Sequence, residues 1–379
     1  MNRREAARLL LALLLGLGFG LFLGGRGEPN PASAPLAARE IPRRPALPPP
    51  PSAPATAAPA STAPATQSAA LLRDLGATRD LLARWFPALA EEPAPDDPDY
   101  SAERVLYDQH RLVGEALAGL RAQTPGRTDL YVVAFGGDGD ENVFRNEVEY
   151  VEKLFSERYG ARGRVVVLEN NPATVETRPL ATWSNLELVL DGLLENNRFD
   201  PEEDILLLFL TSHGDEDHYL YVGMDVLPLD WIGADDLSRM LNERPFRWRV
   251  SIVSACYSGG FVDGLKNSTS MVITAARADR TSFGCGSESD ITFFGKAFFV
   301  EGLNQTDSFR GAFQIARQRI DEWEEDEKQT PSEPQIASTP LIEAKLAEWR
   351  RSVTLGPPQP FEIATAVKPV QSSEKSTKQ

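Results

Sequence analysis

Arg249-Val-Ser-Ile-Val-Ser-Ala-Cys-Tyr-Ser-Gly-Gly-Phe261 is the stretch whose reading decides the fold. Val250, Ile252 and Val253 make a run of β-branched residues suited to a buried strand, and the run ends at Cys256. Ser258, Gly259 and Gly260 follow, small residues that leave open space in front of a thiol held at a sheet edge. A second run of the same kind lies upstream. Ile205 to Leu210 is wholly apolar and is followed by Thr211, Ser212, His213 and Gly214, so it delivers an imidazole to the same edge.

Outward from these two runs the chain alternates. Leu130 to Phe135 predicts a first strand, followed by the loop Gly136 to Asp140 and a helix that keeps Val148, Val151, Leu154 and Phe155 on one face. Arg164 to Leu168 predicts a second strand. Ser184 with Glu187 three residues on reads as a capping box that opens a helix through Leu186, Val189, Leu190 and Leu193. A helix near Ala234 to Asn242 separates the histidine and cysteine strands. Ser270 to Ala275 predicts a fifth strand, and Phe309, Phe313, Ala316, Ile320 and Trp323 mark a late helix. Strands joined by helices imply right-handed crossovers and a mainly parallel sheet covered on both faces, a three-layer α/β/α sandwich. Chemistry in such sheets collects at the carboxyl ends of the strands, where His213 and Cys256 both fall.

Composition removes several function classes. The 379 residues carry a net charge of −16, with the 55 acidic residues spread along the chain, so a phosphate-binding surface and nucleic acid as a partner are not expected. Two cysteines, Cys256 and Cys285, exclude a disulfide framework and a Cys-rich zinc site. Cys285 reads as a bystander thiol, although an oxidising compartment could pair it with Cys256 and give a redox-locked enzyme or a thiol-disulfide protein. His218, beside Asp215, Glu216 and Asp217, reads as part of a solvated loop, and His110 as structural or exposed. The acidic stretches Asp138 to Glu141 and Asp321 to Glu327 read as solvated surface, without the ligand spacing of an EF-hand.

The ends of the chain differ from its middle. Residues 1–27 hold Arg3, Arg4 and Arg8 ahead of an uncharged Leu-, Gly- and Phe-rich run, which predicts a membrane anchor or signal segment with the remainder exported. Residues 28–70, rich in Pro, Ala, Ser and Thr, predict a disordered and partly polyproline linker. Residues 71–125 predict a helical region, through 71–92 and 102–124, that either covers a sheet face or forms an accessory lobe. The α/β domain is expected over 126–350 and a disordered tail over 351–379.

A free thiol titrates near 8.5, so a nucleophilic Cys256 needs an imidazole or a positive field beside it. His213 is the residue that the fold delivers to that edge. The backbone N–H groups of Gly214 and Cys256 are placed to receive a developing oxyanion, and His213 to protonate a leaving amine. The segments Thr211-Ser212-His213-Gly214, Ser254-Ala255-Cys256-Tyr257-Ser258-Gly259 and Thr274-Ala275-Ala276 resemble, in the right order, the His-Gly, Ala-Cys-x-Ser-Gly and Thr-Ala-Ala elements of the legumain-type cysteine peptidases. That family comprises asparaginyl endopeptidases and the related lipid-anchor transamidase, with a caspase-like fold, and the resemblance spans about Asp129 to Leu303, nearest to bacterial members.

The resemblance implies a cysteine endopeptidase working through a His213/Cys256 dyad and a thioester acyl-enzyme on protein or peptide substrates, with no metal and no organic cofactor. It implies a preference for cleavage after Asn. Asn142-Val143-Phe144-Arg145 resembles the family's Asn-Tyr-Arg segment and makes Arg145 a substrate-binding candidate, with Ser282 on the opposite wall and Asp290 further along. Ser254 stands where legumains usually carry Glu, and Asn146 replaces the His that follows the pocket Arg. Transfer of the acyl group to an amine, as in a transamidase or transpeptidase, is the nearest alternative activity. A noncatalytic exported binding module that retains the fold is the alternative of another class. With the leader, the expected location is the inner membrane, single-pass, the catalytic domain on the periplasmic side, or the periplasm if the leader is cleaved.

Overall fold

Leucine-rich runs take the extended state here because a central strand is covered on both faces and gains more from burial than from its helical propensity. Every residue of β1 (Leu130–Gly136) and β3 (Ile205–Thr211) is buried. With β2 (Val165–Glu169), β6 (Trp248–Ser254), β7 (Ser270–Thr274) and β8 (Gln335–Ser338) they form one six-stranded sheet in the order β2-β1-β3-β6-β7-β8. All neighbours are parallel except β7 and β8. The computed structural model describes residues 100–286 and 289–363, which fall in one compact unit.

The two-residue period of the strands sorts the core into two layers. Leu130, Val132 and Ala134 face a layer made by α2 (Asn142–Glu157), a helical run at 293–305, α6 (Phe309–Asp326) and α7 (Pro340–Ser352). Tyr131, Val133 and Phe135 face α1 (Ala102–Ala118), α3 (Trp183–Leu194), α4 (Ala234–Asn242) and the short α5 (Val262–Leu265). The expected α/β/α sandwich with its mainly parallel sheet is therefore present. The predicted strands match to within a residue or two, whereas β8 and the small antiparallel pair β4 (Tyr219–Leu220) and β5 (Ile232–Gly233) are too short to leave a periodic signal.

Three expectations are adjusted. The cap of α3 is Thr182, whose side chain accepts from the Asn185 amide at 3.1 Å, and Ser184 lies inside the first turn. Asn170 holds the Ala181 amide, which makes Thr182 the last extended residue and gives it the capping position. The predicted helix at 102–124 ends at Ala118, and α1 is part of the sandwich, with Val113 and Leu117 packed on the sheet. The expectation of a disordered tail from 351 fails over the described residues to 363: Phe361 packs edge-on against Tyr150, and Tyr150 donates to the Gln359 carbonyl at 2.8 Å. The anchor at 1–27, the linker at 28–70 and the helix at 71–92 lie outside the described residues. Among those described, no helix is long and apolar enough to cross a membrane.

Chain direction sets the position of the site. From β1 the chain goes outward to β2, then returns past β1 to β3, so the topology switches between β1 and β3. Loops after those two strands leave the sheet in opposite directions and open a crevice at their carboxyl ends. The residues after β1, β3 and β6 line it.

Candidate active site

His213 and Cys256 reach the crevice by a common offset. Thr211 of β3 pairs with Ser254 of β6, and the two functional residues stand two positions beyond that pair, on adjacent parallel strands. Gly214 then lies against the turn: a Cβ there would come within 2.3 Å of the Cys256 carbonyl oxygen, so only glycine lets the two loops meet. The amides of Gly214 and Cys256 donate no hydrogen bond among the described residues.

The turn after Cys256 is tightly specified. Tyr257 has φ 55°, in the left-handed region, an unfavourable conformation for a residue with a Cβ that its neighbours must hold in place. Its N–H donates to the Arg280 carbonyl at 2.7 Å and its carbonyl accepts from Gly260 N–H at 3.1 Å. Ser258 is fully buried and accepts from the Ala276 amide. His218 is half-buried with its ring against Gly260, where a Cβ would fall 2.2 Å from the imidazole. It is therefore a wall of the cysteine turn and not a solvated loop residue.

Ser282 meets the sulfur directly. Its N–H lies 3.3 Å and its Oγ 3.8 Å from Sγ of Cys256, and the S–H faces its carbonyl at 3.5 Å. The thiol pKa is drawn down to about 6, first by a hydrogen bond from Cys285, against the opposing effect of burial, then by Ser282 and by the charge of His213. Cys285 is pushed up by the same hydrogen bond and by burial. Cys285 is thus a neighbour of the nucleophile and not a bystander.

His213 is partly exposed, with Phe144 edge-on at 5.1 Å. Its Nε2 lies 3.4 Å from Asp138 Oδ2 and 3.4 Å from Glu141 Oε2. Asp138 is buried, and desolvation raises its pKa against the counteracting Asp140 amide and His213. The expectation that 138–141 is solvated surface fails at Asp138 because this loop leaves β1 at the switch point and folds over the crevice. That position, next to the carboxyl end of the first strand, was the available signal. Asp138, Glu141 and His213 each offer one ligand atom within 4.8 Å of the others, an arrangement able to hold a metal ion.

The remaining candidates lie deeper. Ser254 is buried, its Oγ 3.2 Å from that of Thr292. Thr292 and Thr211 both donate to Glu147, at 2.8 and 2.5 Å, and Glu147 is fully buried with its pKa raised by desolvation to about 7. Glu147 gave no signal in the sequence beyond its neighbourhood to Arg145. Arg145 itself is buried, with Nε on Glu149 at 3.0 Å and Nη1 on Asn171 at 3.5 Å. Asp290 is exposed, and its carbonyl accepts from Asn146 at 3.0 Å. The structure brings His213, Gly214, Cys256 and Ser282 together, and it engages Arg145 and Ser254 with interior partners.

A family model described as the peptidase C13 family matches residues 196–343, which contain β3, β6 and both loops. The fold is similar to the crystal structure of caspase-1 from Spodoptera frugiperda, at 12% identity and a TM-score of 0.41 over 58% of this chain and 92% of that one. It is similar also to the structure of pro-sf-caspase-1, at 12% identity and a TM-score of 0.39 over 58% and 94%. No curated protein matches the chain.

Proposed function

Because the peptidase C13 family model matches residues 196–343, we propose that the chain is a cysteine peptidase that hydrolyses peptide bonds through a dyad of His213 and Cys256. The observation that carries this is the shared offset of the two residues past the Thr211–Ser254 pair. The Cys256 thiolate attacks the carbonyl carbon of the scissile bond. The oxyanion is received by the amides of Gly214 and Cys256, which have no other partner among the described residues. His213 protonates the departing nitrogen, and the C–N bond breaks to leave a thioester on Cys256. Water then attacks the thioester, His213 takes its proton, and the acid product leaves. An amine in place of water gives transpeptidation by the same steps.

Asp138 holds the far nitrogen of His213 in this scheme, and Ser282 fixes the sulfur. Selection for asparagine is not part of the proposal, since Arg145, on which it would rest, is turned to Glu149 and Asn171. The basic and apolar run at 1–27 supports a domain held on the periplasmic side of the inner membrane, which cell fractionation with and without detergent tests.

A labelled Michael-acceptor peptide tests the dyad. Adduct at Cys256 by mass spectrometry, lost in Cys256→Ala and slowed about 100-fold or more in His213→Ala, is the expected result. Absence of adduct and of cleavage under reducing conditions would leave a noncatalytic binding module.

A further inference from the structure

Beside His213, on the flank that carries Nε2, lies a cavity of about 350 Å³ that no step above uses. Four carboxylates line it, from Asp138, Asp140, Glu141 and Asp215, and no lysine or arginine does. Its aromatic wall includes Tyr221 and Trp231, packed edge to face at 5.3 Å. Asp138 has a side chain only 4% exposed, and its Oδ1 accepts from the Asp140 amide. Its Oδ2 faces His213 Nε2 at 3.4 Å, whereas Oε2 of Glu141 is buried with no hydrogen-bond partner among the described residues. One carboxylate oxygen, Oε2 of Glu141, is thus withdrawn from water and left without a donor, a costly arrangement that a bound donor would relieve.

We propose that this cavity is a subsite for a basic side chain, lysine or arginine, of a substrate residue next to the bond being cleaved. The inference rests on the peptidase reading, since it is His213 that ties the cavity to the scissile bond. A long side chain with a cationic head uses both halves of the cavity. Its methylene stem lies along Tyr221 and Trp231, where the positive charge also gains from the ring faces, and its N–H donors reach the carboxylate of Glu141. Asp140 and Asp215 add attraction without contact. An apolar residue would leave that oxygen unpaired and an acidic one would face it with like charge, so the cavity selects by exclusion as well. A bare divalent cation would occupy only the Asp138, Glu141 and His213 corner and leave the aromatic half empty.

Two measurements on the full chain decide it. Cleavage of a peptide library randomised on both sides of the scissile bond is expected to enrich lysine or arginine at one position adjoining the cut. The ratio of kcat/KM for a lysine peptide over its norleucine counterpart should then fall about fivefold in Glu141→Gln and again in Asp140→Asn. A ratio near one in the wild type, or one that both variants leave unchanged, overturns the proposal. Agmatine binding to Cys256→Ala by calorimetry is read separately from cleavage. Saturable binding that weakens in both carboxylate variants supports the subsite, whereas no agmatine binding, or Zn²⁺ binding alone, overturns it. If the wild type cleaves no peptide while agmatine still binds, the peptidase reading fails and the basic site stands.

Discussion

Replacing Glu147 by glutamine should remove a pH dependence of stability that the position of this carboxyl builds into the fold. Glu147 lies wholly inside the protein beneath the ends of β3 and β6, so close to Gly295 that a Cβ there would fall 1.7 Å from its Oε1. Burial raises its pKa from 4.5 to about 7, and the hydroxyls of Thr211 and Thr292 offset only part of that. Between pH 4.5 and 7 the folded chain keeps this proton while the unfolded chain releases it. Stability is therefore full below pH 4.5 and falls as pH rises through 7, by about 3 kcal/mol at 1.36 kcal/mol per pH unit. Glutamine has no charge to lose and can donate to one threonine while accepting from the other. Urea unfolding at pH 5, 6, 7 and 8 checks the prediction. Wild type and Glu147→Gln should agree near pH 5 within about 1 kcal/mol and diverge by about 2–3 kcal/mol at pH 8, the variant being the more stable. Glu169, raised to about 7 by burial, and Asp204, raised to about 6 by burial, slope the same way in both proteins, so the difference between the two curves isolates Glu147. Parallel curves, or a variant less stable at pH 8 by as much as at pH 5, would refute the neutral-carboxyl account.

The other predictions concern the crevice. Alkylation of Cys256 by iodoacetamide should rise with a midpoint below the ordinary thiol value in the wild type, and Cys285→Ala should move that midpoint upward because the largest stabilisation of the thiolate is removed; a midpoint already at the ordinary thiol value would contradict it. Asp138→Asn should lower kcat about tenfold or more while KM for a neutral peptide changes little, as expected for loss of the group that orients His213; a change confined to KM counts against it. Gly214→Ala sets a methyl 2.3 Å from the Cys256 carbonyl and should lower stability by about 1–3 kcal/mol while abolishing cleavage, checked by thermal melting beside the activity assay.

What the sequence determined by itself was whatever depends on local pattern. The apolar run at 205–210 and the β-branched Val250, Ile252 and Val253 predict central strands, and strands alternating with amphipathic helices predict a covered, mainly parallel sheet. The residues directly after those strands, His213 and Cys256, followed from the same reading, since a strand end fixes the position of its next two residues. What only the tertiary structure decided depends on which loops meet. Asp138 looks like any loop aspartate until β1 is seated beside β3, and then it is buried against His213. Cys285 and Ser282 come to the sulfur from a loop after β7, and Arg145 turns to Glu149 and Asn171 because a helix direction is set by packing and not by a motif. Burial, desolvation and charge pairing are properties of the assembled crevice, and the spacing of residues along the chain does not encode them.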